Sequence, residues 1–103
     1  MTPFQIRVRE AVLKIPRGRV TTYRLLAESL GCGSCQAVGQ ALRRNPDAPD
    51  VPCHRVIRSD LTPGGYSGET EGERLVQKIT LLAAEGVTFR AGRLADPRQI
   101  FFF

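Results

Sequence analysis

Residues 21–46 read TTYRLLAESLGCGSCQAVGQALRRNP, and the fold depends on whether they form two short helices around a tight turn. Thr21 or Thr22 can cap a helix TYRLLAESL, whose Leu25, Leu26 and Leu30 mark its buried side. Gly31 is well placed as its C-terminal cap, because glycine enters the left-handed region at little cost. After the GCGSC link, Ser34 can cap a second helix, CQAVGQALRRN, stopped by Asn45-Pro46. Ala37, Val38, Ala41 and Leu42 give that helix one apolar side, and its small residues leave room for another backbone or a ligand. Two short helices joined in this way suggest a helix-turn-helix over about residues 22–45, with the second helix entering a DNA groove. The motif is weakly specific by itself. Arg43 and Arg44, closing the second helix of a basic chain, favour the DNA reading.

On the N-terminal side, Thr2-Pro3 reads as N-cap and first helical residue. Phe4, Val8, Ala11, Val12 and Ile15 then recur at helical spacing, which predicts a helix to about Lys14 before Pro16. On the other side, the proline-rich PDAPDVP loop delivers CHRVI, which has the β-branched run of a short strand. DLTPGGYSGE is a glycine-rich loop. The spacing in EGERLVQKITLLAAEG predicts a long helix that buries Leu75, Ile79 and Leu82, with Val76 and Ala83 beside them and Gly86 as C-cap. VTFRAGRL reads as a closing strand or hairpin and IFFF as an apolar tail. The fold class expected is mainly α with a short β element: a small helical domain with a winged helix-turn-helix-like core. With no internal repeat or dividing linker, residues 1–103 read as one domain.

At 103 residues, a chain with 42% hydrophobic and 24% charged residues can build a core without staples. The net charge is +5, and thirteen of the fifteen cationic residues are arginine, the type suited to bidentate phosphate contacts. A polyanion partner and a merely soluble basic protein both fit that balance. No apolar run approaches the roughly 18 residues of a membrane span, and the N-terminus lacks a signal-peptide core. Three cysteines cannot pair completely, so a reducing, cytoplasmic setting without a membrane partner is expected.

The chain has one histidine, and VPCHRVI (51–57) sets it directly after Cys53. A thiol attacks as thiolate, and an imidazole system can take its proton. Strand neighbours point opposite ways, so Cys53 and His54 would need a bridging water or a bent backbone. Glu85 is a candidate to orient the imidazole. A structural cysteine beside a surface histidine is the plainer alternative. Cys32 and Cys35 form a CxxC, which fits a redox pair or half a zinc site. No βαβ setting is readable for the first, and the second would consume Cys53 and His54 as ligands. Two small residues packing a helix-helix turn is the favoured reading, with no metal.

PCHRVI, preceded by AVGQALRRNP and followed by GGYSG, resembles the active-site segment of the O6-alkylguanine-DNA alkyltransferases, also called methylated-DNA–protein-cysteine methyltransferases. The likeness runs from PRGRVTTYRLLAESLG to LLAAEG. The chain is similar to the family's C-terminal DNA-binding and catalytic domain standing alone, without the N-terminal domain of many members. The resemblance implies cofactor-free, irreversible transfer of an alkyl group from O6-alkylguanine in double-stranded DNA to Cys53, by a monomer. It implies His54 as water-mediated base, Glu85 orienting it, and Asn45 bracing the active-site loop (51–57). Tyr66 and Ser67, in the substrate loop (62–69), would contact the everted guanine. Tyr23 would crowd the target phosphate and help rotate the nucleotide out of the stack. The helix with Ala37, Gly39 and Ala41 would lie in the minor groove, with Arg43 and Arg44 on phosphates. Gln36 stands where the family commonly has an arginine finger, so charge and reach are lost there. The alkyltransferase-like proteins, which bind the lesion and signal to excision-repair proteins, are the alternative; they usually replace the cysteine that this chain keeps. A plain helix-turn-helix regulator is a third reading, which leaves PCHRV beside GGYSG unexplained.

Overall fold

In the computed structural model, which describes residues 2–43, 50–64 and 72–103, two short parallel strands tie the helix-turn-helix to the Cys-His segment. Strand β1 (Thr21–Thr22) pairs with β2 (Val56–Ile57), Thr21 opposite Val56 and Thr22 opposite Ile57. All four residues are buried. Successive strand residues face opposite sides. Accordingly, Val56 joins one apolar cluster, with Val8, Val12, Leu26 and Val38, and Ile57 a second, with Val20, Leu82, Val87 and Leu94.

Helix α1 (Pro3–Val12) starts at a capping box: Thr2 Oγ1 accepts from the Gln5 N–H at 3.1 Å, and Gln5 Oε1 from the Thr2 N–H at 2.9 Å. It ends two residues short of the expected Lys14. There the chain tightens into a 3₁₀ turn, with the Lys14 and Ile15 N–H groups donating to the carbonyls of Ala11 and Val12. Val8, Ala11, Val12 and Ile15 are buried, with Phe4 packed at their edge. Helix α2 (Tyr23–Ser29) is capped by Thr22, whose hydroxyl accepts from the Leu25 N–H at 3.1 Å, and Gly31 beyond it takes φ +66°. Helix α3 (Cys35–Arg43) is capped by Ser34 through the Ala37 N–H at 3.0 Å, and turns Val38 and Leu42 inward.

Two expectations need correction. Cys53–Arg55 form a 3₁₀ turn, and the strand begins only at Val56. In helix α4 (Glu73–Ala84), Leu82 is buried and Leu75 half-buried, but Val76 is 63% exposed, Ile79 36%, and Ala83 also faces out. Lys78 takes the inward place that Ile79 was expected to fill. The buried stripe is rotated to Leu75, Lys78, Leu82 and Glu85, an equally good helical spacing. A lysine is tolerated there because its Nζ donates to the Val56 carbonyl at 2.7 Å.

The closing segment is a hairpin of β3 (Phe89–Arg90) and β4 (Arg93–Leu94). Ala91 and Gly92 between them take φ +52° and +79°, the mirror-image turn that suits strand twist. The tail then runs back along β1, with a parallel bridge between Val20 and Ile100. Among the described residues no helix is long and apolar enough to cross a membrane.

Candidate active site

The bend that the sequence left open is made by Pro52. Its φ of −81° and ψ of 64° form an inverse γ-turn, closed by the Cys53 N–H on the Val51 carbonyl at 2.8 Å. The 3₁₀ turn follows at once, with the Arg55 N–H on the Pro52 carbonyl at 2.9 Å. Both side chains that a strand would separate are thereby turned inward: Cys53 is 8% exposed and His54 2%.

Glu85, at the C-cap of α4, meets this turn. Its Oε2 accepts from His54 Nε2 at 3.0 Å. Arg55 grips the same carboxylate twice, Nε to Oε1 at 2.8 Å and Nη2 to Oε2 at 2.9 Å, and Arg55 Nη1 donates to the Ile15 carbonyl at 2.8 Å. The fork thus ties the end of α4 to the turn after α1 through the residue next to the histidine. Burial would raise the Glu85 pKa, but hydrogen bonds from Arg55 and His54 outweigh it and hold the group at about 2. Burial lowers the His54 pKa, against the opposing pull of Glu85, so the imidazole is neutral. A carboxylate on Nε2 fixes that nitrogen as the donor. The lone pair is then on Nδ1, a buried atom without a hydrogen-bond partner among the described residues.

Lys78 and Tyr23 also belong to the surroundings of the thiol. The Lys78 ammonium is fully buried, 5.9 Å from the centroid of the Tyr23 ring. Burial brings its pKa from 10.5 to about 7, while negative charge on Cys53 pulls the other way. Burial and the same charge push the Tyr23 phenol to about 12. Both groups therefore lie within electrostatic reach of the sulfur.

Outside this cluster, a cavity of about 370 Å³ is lined by Tyr23, Cys35, Gln36, Gly39, Arg58 and Ser59, and one of about 310 Å³ by Arg58, Thr62, Pro63, Gly64 and Leu75. Neither is lined by Cys53 itself; Tyr23 lines the first. The structure thus groups Cys53, His54 and Glu85, and sets Tyr23, Gln36 and Gly39 around one opening. Ala37 is half-buried on α3 and Arg43 exposed at its end. Arg44, Asn45, Tyr66 and Ser67 lie outside the described residues. Among the described residues no three of His, Cys, Asp and Glu gather as a metal-binding group. Sequence reasoning missed Lys78, Arg55 and Arg58, and Cys35, expected to pack the helix-helix turn, is instead exposed and lines the first cavity. Lys78 had a usable signal, because assigning Glu85 to the site puts the residue seven positions earlier on the same helix face. Arg55 had none beyond its place beside His54.

The family model for the 6-O-methylguanine DNA methyltransferase DNA-binding domain matches residues 3–87. The methylated-DNA–protein-cysteine methyltransferase of Pyrobaculum aerophilum is 47% identical over 91 residues, 86% of this chain and 57% of that protein. The crystal structure of the Pyrococcus kodakaraensis O6-methylguanine-DNA methyltransferase superposes with TM-score 0.74 at 42% identity, over 84% of this chain and 48% of that one. The S. pombe Atl1 structure, in complex with damaged DNA containing O6-carboxymethylguanine, has TM-score 0.82 at 30% identity, over 98% of this chain and 96% of that one. The chain spans about half the length of the curated relatives it matches.

Proposed function

Because this chain belongs to the 6-O-methylguanine DNA methyltransferase family, we propose that it repairs double-stranded DNA by moving an alkyl group from O6 of guanine onto Cys53. One observation carries the reading: the buried His54 presents Nδ1 from the same 3₁₀ turn as Cys53, with Nε2 locked on Glu85. Cys53 passes its proton through a bridging water to Nδ1, and Glu85 stabilises the imidazolium so formed. The thiolate attacks the alkyl carbon; the S–C bond forms as the C–O6 bond breaks, and the electron pair leaves on guanine. A proton returned to the purine completes the exchange. Tyr23 keeps its own proton to about pH 12 and so remains a hydrogen-bond donor to the departing base. The charged form of Lys78 favours negative sulfur. Since the thioether has no route back, each molecule reacts once and needs no cofactor.

Reaching O6 requires the nucleotide to leave the stack. In this reading Tyr23 crowds its phosphate, α3 enters the minor groove, and Gln36 faces the gap. Ala37 and Gly39 allow the close approach: among the described residues, a side-chain carbon on Gly39 would meet nothing within 4 Å beyond its chain neighbours and its own helix backbone, so packing there does not explain its smallness. Arg43 and Arg44 serve as phosphate contacts, Asn45 braces the active-site loop, and Tyr66 and Ser67 hold the base. The protein acts as a monomer in the cytoplasm; excision-repair partners belong to the sensor alternative.

Intact mass after incubation with an O6-methylguanine duplex tests the reading. A gain of one methyl mass, absent in Cys53→Ala, is expected. Tight lesion binding with unchanged mass would make the protein a sensor, and equal affinity for undamaged duplex would make it a plain DNA binder.

A further inference from the structure

Arg58 directly follows β2 and lines both cavities beside Tyr23. Its backbone is pinned: the Arg58 N–H donates to the Thr62 carbonyl at 3.0 Å, and the Leu61 N–H to the Arg58 carbonyl at 2.8 Å. Gly64 lies against it so closely that a Cβ there would stand 3.3 Å from Arg58 Cγ and 3.4 Å from Tyr23 Cε2. The stem of Arg58 therefore runs beside the tyrosine ring. Its positive charge acts on both the Tyr23 phenol and the Lys78 ammonium.

Among the described residues no carboxylate forms an ion pair with this guanidinium. Asp60 feels its charge, but aims Oδ1 at the Thr62 N–H and hydroxyl, at 3.1 and 2.6 Å. Gln36, on the opposite helix, brings no charge to the shared cavity. Arg58 is exposed and is the residue that the two cavities share, so its guanidinium is open to a ligand from solution. A guanidinium in that position is built to take an oxyanion in fork geometry.

We propose that Arg58 is a specificity residue, binding the carboxylate of O6-guanine adducts that end in an acid. The proposal rests on the reading that this opening receives O6-alkylguanine. The smaller cavity offers room for the extended substituent, and Arg58 lies on its wall. A DNA backbone phosphate presents the same oxyanion chemistry, and the test separates the two.

Binding is measured in a Cys53→Ser background, so that no transfer intervenes, with duplexes carrying O6-carboxymethylguanine or O6-methylguanine. The expected result is an affinity about tenfold higher for the acidic adduct, the effect of one charge-assisted hydrogen bond. Adding Arg58→Gln brings the ratio to about one, and Arg58→Lys restores part of it. Melting curves of both variants verify that they fold. If Arg58 holds a backbone phosphate, Arg58→Gln weakens both duplexes equally, and the unchanged ratio overturns the proposal. A ratio near one before substitution also overturns it, as does failure to prefer either lesion over undamaged duplex. Failure of the repair reading is seen elsewhere, as a wild-type Cys53 that gains no alkyl mass while the binding ratio stays readable.

Discussion

Lys78 is the residue whose chemistry departs furthest from its ordinary behaviour. Its pKa falls from 10.5 to about 7, so between those values the folded chain holds fewer protons on this group than the unfolded chain. Stability contributed by this site therefore rises with pH across that window. In Lys78→Met that rise disappears; denaturant titrations at pH 7 and pH 10 read the difference, and equal slopes in both proteins would contradict it. The same substitution removes a positive neighbour of the thiol, so transfer from free O6-benzylguanine should slow; an unchanged rate would deny Lys78 that role. Glu85 behaves in the opposite sense. Held at about 2 instead of 4.5, it adds stability that is fully present above the ordinary value and lost as pH falls through its folded value. Glu85→Gln should cost about 3 kcal/mol at neutral pH, because Arg55 keeps a largely buried cation without its carboxylate. The deficit should shrink as the solution is acidified towards pH 2; a deficit independent of pH would deny the ion pair its role.

Helix α3 sets packing against contact. A glycine within a helix costs about 1 kcal/mol relative to alanine, and among the described residues a Cβ at Gly39 meets nothing within 4 Å beyond its chain neighbours and its own helix backbone. Gly39→Ala should accordingly raise the melting temperature while weakening duplex binding. If affinity is unchanged, the small residue has nothing to do with DNA. The helix-turn-helix was largely legible because its punctuation is local: Thr22, Ser34 and Gly31 each act on N–H groups or dihedrals within a few residues. Helix α4 was readable in extent but not in rotation, since hydrophobicity favours Ile79 inward and cannot foresee a lysine satisfied by the carbonyl of Val56. Cys53, His54 and Glu85 could be named from pattern and resemblance. The turn that unites them could not, because it depends on the dihedrals of Pro52 and on an arginine fork reaching Ile15.

Over the molecule as a whole, a net charge of +5 carried mostly by arginine predicts binding that weakens steeply with salt. Arg43→Ala should reduce the slope of log affinity against log salt by about one; an unaltered slope would remove Arg43 from the phosphate contacts. The run IFFF, readable only as an apolar tail, proves to be joined to the centre of the fold. Val20 donates its N–H to the Gln99 carbonyl at 2.9 Å and accepts from the Phe101 N–H at 2.6 Å, and the Thr21 hydroxyl donates to the Phe101 carbonyl at 3.0 Å. Those bonds occupy the flank of β1 that its partner strand leaves bare. An uncovered strand margin is a template for a foreign chain. Deleting residues 100–103 should therefore cost solubility before it costs chemistry, and sedimentation should reveal concentration-dependent aggregates that the intact protein does not form.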